Sequence, residues 1–184
     1  MIVGRPDLPL HVRFTRAGLS TAVRGALAWL FLGLVLAQGG FRLELPGFAP
    51  RTPVRWVCAG QDVSPKVAFF DWPPKTRSLA LVFWDSAKGP PLARWLVYDI
   101  PPAARRLPGL PRVAVLAQGV KQGRNSLGRI GFDAPCQPGV YQVDLYALDV
   151  PSLGLPPGAR LHEVKAAIQR HRLAEAILMV RLER

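Results

Sequence analysis

The chain has 184 residues, of which 49% are hydrophobic, which is enough for one folded domain and too apolar for a disordered chain. Its 19 prolines and 17 glycines exclude a helical bundle, and because they follow no fixed period they also exclude collagen-like and simple repeats. The net charge of +12 favours anionic partners, but the basic residues are scattered and no aromatic side chains alternate with them, so we expect no specific nucleic-acid partner.

A basic segment and a short apolar run open the chain. Residues 1–25 contain four arginines and one acid, and the run at residues 26–37 reads ALAWLFLGLVLA. As a helix this run would span about 18 Å, well short of a hydrocarbon core of about 30 Å. The pattern predicts a signal peptide over residues 1–37 and an exported domain, periplasmic or extracellular, over residues 38–184. An uncleaved anchor is the alternative, and we expect membrane contact only through this segment.

Short segments of apolar or alternating character, separated by Pro- and Gly-rich turns, predict a mainly β fold. The segment at residues 78–84 (SLALVFW) is almost continuously apolar, which is typical of a central strand buried on both faces. We predict a β-sandwich of about seven or eight strands, including strands at residues 41–45, 54–58, 67–70, 78–84, 94–100, 113–116 and 141–148.

The C-terminal part changes character, because neither Pro nor Gly interrupts residues 159–179. Leu161, Val164 and Ile168 recur at helical spacing. The sequence predicts one helix near residues 160–169, a second near residues 171–178, and a short strand at residues 178–182.

The chain contains two cysteines, Cys58 and Cys136. They form no CxxC pair and have no histidines at zinc spacing, so we expect no metal site. In an oxidising compartment an even pair favours a disulfide, and two separate buried thiols are the alternative. A Cα separation above about 7 Å would exclude the bridge.

Five segments carry distinctive motifs, which in chain order are residues 58–65 (CAGQDVSP), 78–101 (SLALVFWDSAKGPPLARWLVYDIP), 123–136 (GRNSLGRIGFDAPC), 145–149 (LYALD) and 171–176 (HRLAEA). Together they resemble the motifs of the phosphatidylethanolamine-binding (Raf kinase inhibitor-like, bacterial YbhB/YbcL-type) family. The resemblance extends over about residues 41–184. It implies a Greek-key β-sandwich with C-terminal helices and a small pocket at one end, which accepts phosphate-like headgroups without turnover.

The resemblance places Asp85, Arg94 and Tyr141 in that pocket. Asp85 aligns with the aspartate that begins the family's Asp-Pro-Asp loop, although the rest of the loop differs. Arg94 stands where the family has its first pocket histidine. The second histidine is replaced by Gly139, while the tyrosine that follows is kept as Tyr141.

The chemistry of these residues leaves two interpretations open. Arg94 can bind a phosphate through two N–H groups, or it can pair with Asp85 and close the pocket. Tyr141 can donate its hydroxyl to an anion, or its ring can pack in the core. By the match to the family's Gly-Pro-Cys, Ala134 and Pro135 would form the opposite wall.

The sequence carries no recognisable catalytic motif: a nucleophile elbow, a zincin motif, a Walker A loop and a dinucleotide fingerprint are all missing. We therefore expect a non-catalytic protein without cofactor or metal. The expected function is an envelope protein that binds a small anionic ligand or a phospholipid headgroup. The alternative is a protein-interaction module that inhibits a protease or kinase through the loop at residues 86–93.

Overall fold

A computed structural model of the chain describes residues 40–48, 51–53, 57–58, 63–86 and 89–184. The predicted signal peptide at residues 1–37 lies outside these ranges. Within them, no helix has both the length and the apolar character that crossing a bilayer requires.

The described residues form two β-sheets and one α-helix. A three-stranded sheet has the order β1-β3-β6, and a six-stranded sheet has the order β2-β9-β8-β4-β5-β7. The strands are β1 Arg42–Glu44, β2 Arg51–Pro53, β3 Val67–Phe70, β4 Ser78–Asp85, β5 Leu92–Ile100, β6 Arg106–Leu107, β7 Lys121–Gln122, β8 Gly139–Leu148 and β9 Arg172–Glu183. The helix α1 is Leu161–His171, and two 3-10 turns are Pro102–Ala104 and Ala117–Gly119. The predicted mainly β class is confirmed, whereas the Greek-key order stays a prediction.

Strand β4 is the centre of the larger sheet, paired with β5 on one side and β8 on the other. Seven of its eight residues are buried, which explains the continuous apolar run in the sequence. Because successive strand residues point to opposite faces, β4 supplies side chains to two separate cores. Leu81 and Phe83 belong to one core, and Val82 and Trp84 belong to the other.

The two cores define three layers. The first core combines residues of the three-stranded sheet, such as Leu43 and Phe69, with residues of the larger sheet, such as Leu81. The second core places Val164 and Ile168 of α1 against the other face of the larger sheet. The larger sheet is therefore covered by the smaller sheet on one face and by α1 on the other.

The predicted helix near residues 160–169 is confirmed as α1, and Glu163 in its first turn accepts the Arg160 N–H at 2.6 Å. The second predicted helix, at residues 171–178, is wrong, because β9 occupies Arg172–Glu183. Ala, Leu, Glu and Met in this segment favour a helix locally. However, β9 pairs with β8 along its length, and tertiary pairing overrides that preference.

Two predicted strands are also corrected. At residues 113–116 only Val115 forms an isolated bridge, with Lys121, and Val113 and Val115 remain exposed because no neighbouring strand covers them. The segment at residues 54–58 ends in helical Val57 and Cys58, and residues 54–56 lie outside the described ranges. The strands that the sequence did not predict are short, and β2 contains Pro53 in an edge position that tolerates a missing N–H.

Candidate functional site

The larger sheet brings three of the predicted site residues together. Asp85 is the last residue of β4 and pairs with Leu92 of β5 and with Tyr141 of β8. Arg94 lies two positions further along β5. Asp85, Arg94 and Tyr141 therefore lie on three adjacent strands at one end of the sheet.

Arg94 forms an ion pair with Asp85. Its Nε donates to Asp85 Oδ2 at 3.0 Å, and its Nη2 donates to the same oxygen at 2.5 Å. The two side chains are only 23% and 12% exposed, so each charge depends on the other for compensation. Of the two interpretations left open by the sequence, the structure shows the closed pair. A guanidinium has five N–H donors, and two of them are used here.

The Tyr141 side chain is part of the core. Its ring lies 6.0 Å from the ring of Phe83, and its hydroxyl donates to the Gln137 carbonyl at 2.7 Å. Burial raises the pKa of Tyr141, the negative charge of Asp85 raises it further, and the positive charge of Arg94 opposes both effects. The phenol is therefore protonated at neutral pH and acts as a donor to its own loop.

The segment that follows Asp133 forms the neighbouring wall. Pro135 is buried, and Ala134 is half-buried against the core between the two sheets. Cys136 is joined to Cys58 by a disulfide with an S–S distance of 2.07 Å. The Cα separation of 4.9 Å is well within the range that permits a bridge. The disulfide therefore fixes residues 134–138 to the segment that contains Cys58.

A buried polar network that was not predicted from the sequence supports this region. The Asp133 carboxylate accepts from Arg112 Nη2 at 2.9 Å and from Arg129 Nε at 3.1 Å, and it also accepts from the Asn125 amide. The Asp133 backbone N–H donates to the Arg94 carbonyl at 2.9 Å. The network therefore holds the backbone of the residue that carries the site's positive charge.

The signal for this network was available in the sequence. Asn125 and Asp133 both belong to the segment at residues 123–136 whose motif resembles the family pattern. The motif itself assigns no structural role to these two side chains. In the described ranges no group of three or more His, Cys, Asp or Glu side chains could hold a metal ion, and the expected lack of a metal stays a prediction.

Comparison with known proteins identifies the family. A model of the family described as phosphatidylethanolamine-binding protein matches residues 45–183. The chain belongs to the phosphatidylethanolamine-binding protein family. The expected membership is thereby confirmed over nearly all of the described residues.

Similar proteins within this family come from bacteria and archaea. A UPF0098 protein of Aquifex aeolicus is 38% identical over 134 residues, which is 67% of this chain and 76% of the relative. A UPF0098 protein of Methanothermobacter thermautotrophicus is 37% identical over 134 residues, which is 70% of this chain and 88% of the relative.

Two crystal structures resemble this family member. A phosphatidylethanolamine-binding protein homolog from Chlamydia trachomatis has a TM-score of 0.67 and 28% identity, covering 79% of this chain and 98% of its own. YbcL of Escherichia coli has a TM-score of 0.62 and 23% identity, covering 78% and 98% respectively, and this likeness shows the fold alone.

Proposed function

We propose that this phosphatidylethanolamine-binding family member is a non-catalytic binding protein in which Arg94 binds a small phosphate-type anion, free or as a lipid headgroup. The observation that carries the proposal is the geometry of the ion pair. Asp85 holds Arg94 through two of its five N–H donors, and the arginine side chain remains 23% exposed. Donors on Arg94 therefore remain for an anion that approaches from solvent.

The same ion pair sets the expected affinity. At an effective dielectric constant of about 20, an anion about 4 Å from Arg94 gains about 4 kcal/mol, and an anion about 6 Å from Asp85 loses about 3 kcal/mol. The two effects nearly cancel, so binding is expected to be weak, no tighter than the millimolar range.

Substitutions of Asp85 and Arg94 are expected to change phosphate affinity in opposite directions. Arg94→Ala removes the positive charge and is expected to abolish saturable binding. Asp85→Asn removes the opposing negative charge and is expected to strengthen binding about a hundredfold, which corresponds to about 3 kcal/mol. The measurement is a titration of the full chain with phosphoethanolamine and with inorganic phosphate, followed by calorimetry and by ³¹P NMR.

Arg106→Ala is the matched control, because Arg106 is an exposed arginine on a strand of the smaller sheet. It should leave the affinity unchanged if binding is local to Arg94. Binding that survives Arg94→Ala would contradict the proposal. If neither probe binds, the protein-interaction alternative is favoured, since Pro90, Pro91 and Leu92 beside the ion pair are exposed.

We also propose that the domain is exported to the periplasm or the extracellular space. The support is the basic and apolar pattern at residues 1–37 together with the disulfide between Cys58 and Cys136, because disulfides persist in oxidising compartments. The expected result is a mature protein that begins at Gln38, found outside the cytoplasm by cell fractionation and intact-mass measurement. A full-length cytoplasmic product would contradict the proposal.

A further inference from the structure

A second cleft lies on the opposite face of the larger sheet from the Asp85–Arg94 pair. It has a volume of about 300 Å³, which is at the lower end of the range of small-molecule sites. Its lining combines the end of β4, the following loop, β8 and α1, and consists of Trp84, Ser86, Pro91, Gln142, Asp144 and Lys165. None of these residues belongs to the proposed anion site.

Among the described residues, the Asp144 carboxylate in this cleft has no cationic partner. The residue is only 4% exposed. Its oxygens accept from Trp84 Nε1 at 2.7 Å, from Gln142 Nε2 at 2.7 Å and from the Tyr146 hydroxyl at 3.1 Å. All three donors are uncharged, and no Lys, Arg or His of the described residues forms an ion pair with Asp144. A buried carboxylate held only by neutral donors favours a cation from solvent.

The three donors around Asp144 fix the orientation of its carboxylate. Burial raises the pKa of Tyr146, and the charges of Asp144 and Glu175 raise it further, so the phenol remains a proton donor to Asp144. Trp84 Nε1 can only donate. With Gln142 Nε2 the carboxylate receives three donors, and a fourth acceptor position is available to a ligand.

Lys165 provides a positive charge over the face of the Trp84 ring, whereas the negative charge of Asp144 lies at the indole N–H. The Lys165 Nζ lies 5.1 Å from the centroid of the Trp84 ring, a cation–π arrangement. The side chain is exposed, and among the described residues its ammonium has no carboxylate within ion-pair distance. The cleft therefore presents a carboxylate at the N–H edge of the indole and an ammonium over its face.

We propose that this cleft binds a small aliphatic zwitterion, a molecule with one primary ammonium and one carboxylate. The ligand ammonium pairs with Asp144, and the ligand carboxylate pairs with Lys165. The alkyl chain between them lies against the Trp84 ring and Pro91. Because the two charges of the cleft are separated by the indole, a ligand with only one charge satisfies only one of them.

The Trp84 indole N–H reports directly on this site, since it donates to Asp144. The test is a ¹H–¹⁵N NMR titration of the full chain with 4-aminobutyrate, with the Trp84 signal assigned from Trp84→Phe among the five tryptophans. We expect a saturable shift of the Trp84 indole signal in the millimolar range. The Trp95 indole, which donates to Gln122 Oε1 at 2.6 Å in the other core, is the internal control and is expected not to move.

Variants and single-charge ligands separate the proposal from nonspecific binding. We expect Asp144→Asn to weaken binding by more than about tenfold. Lys165→Met, at an exposed position, is expected to weaken it about fivefold. Arg170→Met, on the same helix outside the cleft, should have no effect. Butyrate, which lacks the ammonium, should bind at least about tenfold more weakly than 4-aminobutyrate, and butylamine, which lacks the carboxylate, about fivefold more weakly.

Three results would overturn the proposal: no shift of the Trp84 signal, a shift that persists unchanged in Lys165→Met, or equal binding of butylamine and 4-aminobutyrate. Lys165→Met changes only an exposed side chain, so it remains informative if Asp144→Asn disturbs folding. Retention of the Trp84 response in Arg94→Ala is also expected, which distinguishes this cleft from the proposed anion site.

Discussion

Reduction of the Cys58–Cys136 disulfide is expected to lower the free energy of unfolding by about 4 kcal/mol. The bridge joins residues 78 positions apart, so it removes a large amount of conformational entropy from the unfolded chain. The measurement is urea unfolding of the folded domain with and without a reducing agent, followed by tryptophan fluorescence. The midpoint is expected to fall on reduction with little change in the native spectrum at zero urea.

The double variant Cys58→Ser with Cys136→Ser is the control for this measurement. It should unfold at the midpoint of the reduced protein, and a reducing agent should not shift it further. Cys136 is followed by Gln137, whose carbonyl accepts the Tyr141 hydroxyl, so the bridge also stabilises the wall beside the Asp85–Arg94 pair. A loss below about 1 kcal/mol would mean that other contacts hold these two segments together.

The strands that are well predicted from the sequence are those with a clear pattern of apolar side chains of their own. The continuous apolar run of β4 and the alternation in β8 carry enough information to locate both strands. Only the end of strand β9 is located in this way, by the strand predicted at residues 178–182. Its first part is predicted as a helix because Ala, Leu, Glu and Met favour one, and the pairing with β8 overrides that preference. The short strands β6 and β7 likewise exist only through their partners.

The sequence predicts which residues come together in the candidate site, but not the contacts of their side chains. The family motifs and the neighbouring strands brought Asp85, Arg94 and Tyr141 together in the prediction and in the structure. Whether Arg94 would face Asp85 or a ligand could not be decided, since it depends on side-chain rotamers rather than on the order of strands. The Tyr141 hydroxyl likewise has a partner in Gln137 that no sequence pattern indicates.

Asp144 illustrates a different limit of prediction from the sequence. In the alternating segment YQVDLYAL, Gln142, Asp144 and Tyr146 occupy the positions that the pattern assigns to the solvent face. Asp144 is nevertheless buried, on the face of the sheet that α1 covers. The alternation of polar and apolar residues along a strand shows which side chains share a face of the sheet. It does not show whether a helix covers the polar face.

The network around Asp133 is expected to be the most sensitive polar site in the domain. The Asp133 side chain is 5% exposed and compensates Arg112 and Arg129. Arg112 Nε is buried without a hydrogen-bond partner, so this guanidinium already depends on Asp133 for its satisfied contacts. Gly131 packs closely against Arg112, because a Cβ at residue 131 would lie 2.9 Å from the Arg112 Cα. Removing the carboxylate would leave two charges and the Asn125 amide without their common acceptor.

We expect Asp133→Ala to lower the free energy of unfolding by about 3 kcal/mol, in keeping with the loss of one partner of a buried ion pair. Asp71→Asn is the control, because Asn, unlike Ala, tolerates the positive φ of 55° at this position. Asp71 also pairs with an arginine, Arg42, but the two side chains are 46% and 49% exposed, so its loss is expected to cost less than about 1 kcal/mol. Both variants are compared with the unsubstituted chain by urea unfolding at neutral pH. Equal losses in the free energy of unfolding would show that the Asp133 side chain contributes no more than an exposed charge. Only the Asp133 peptide N–H would then support the Arg94 backbone.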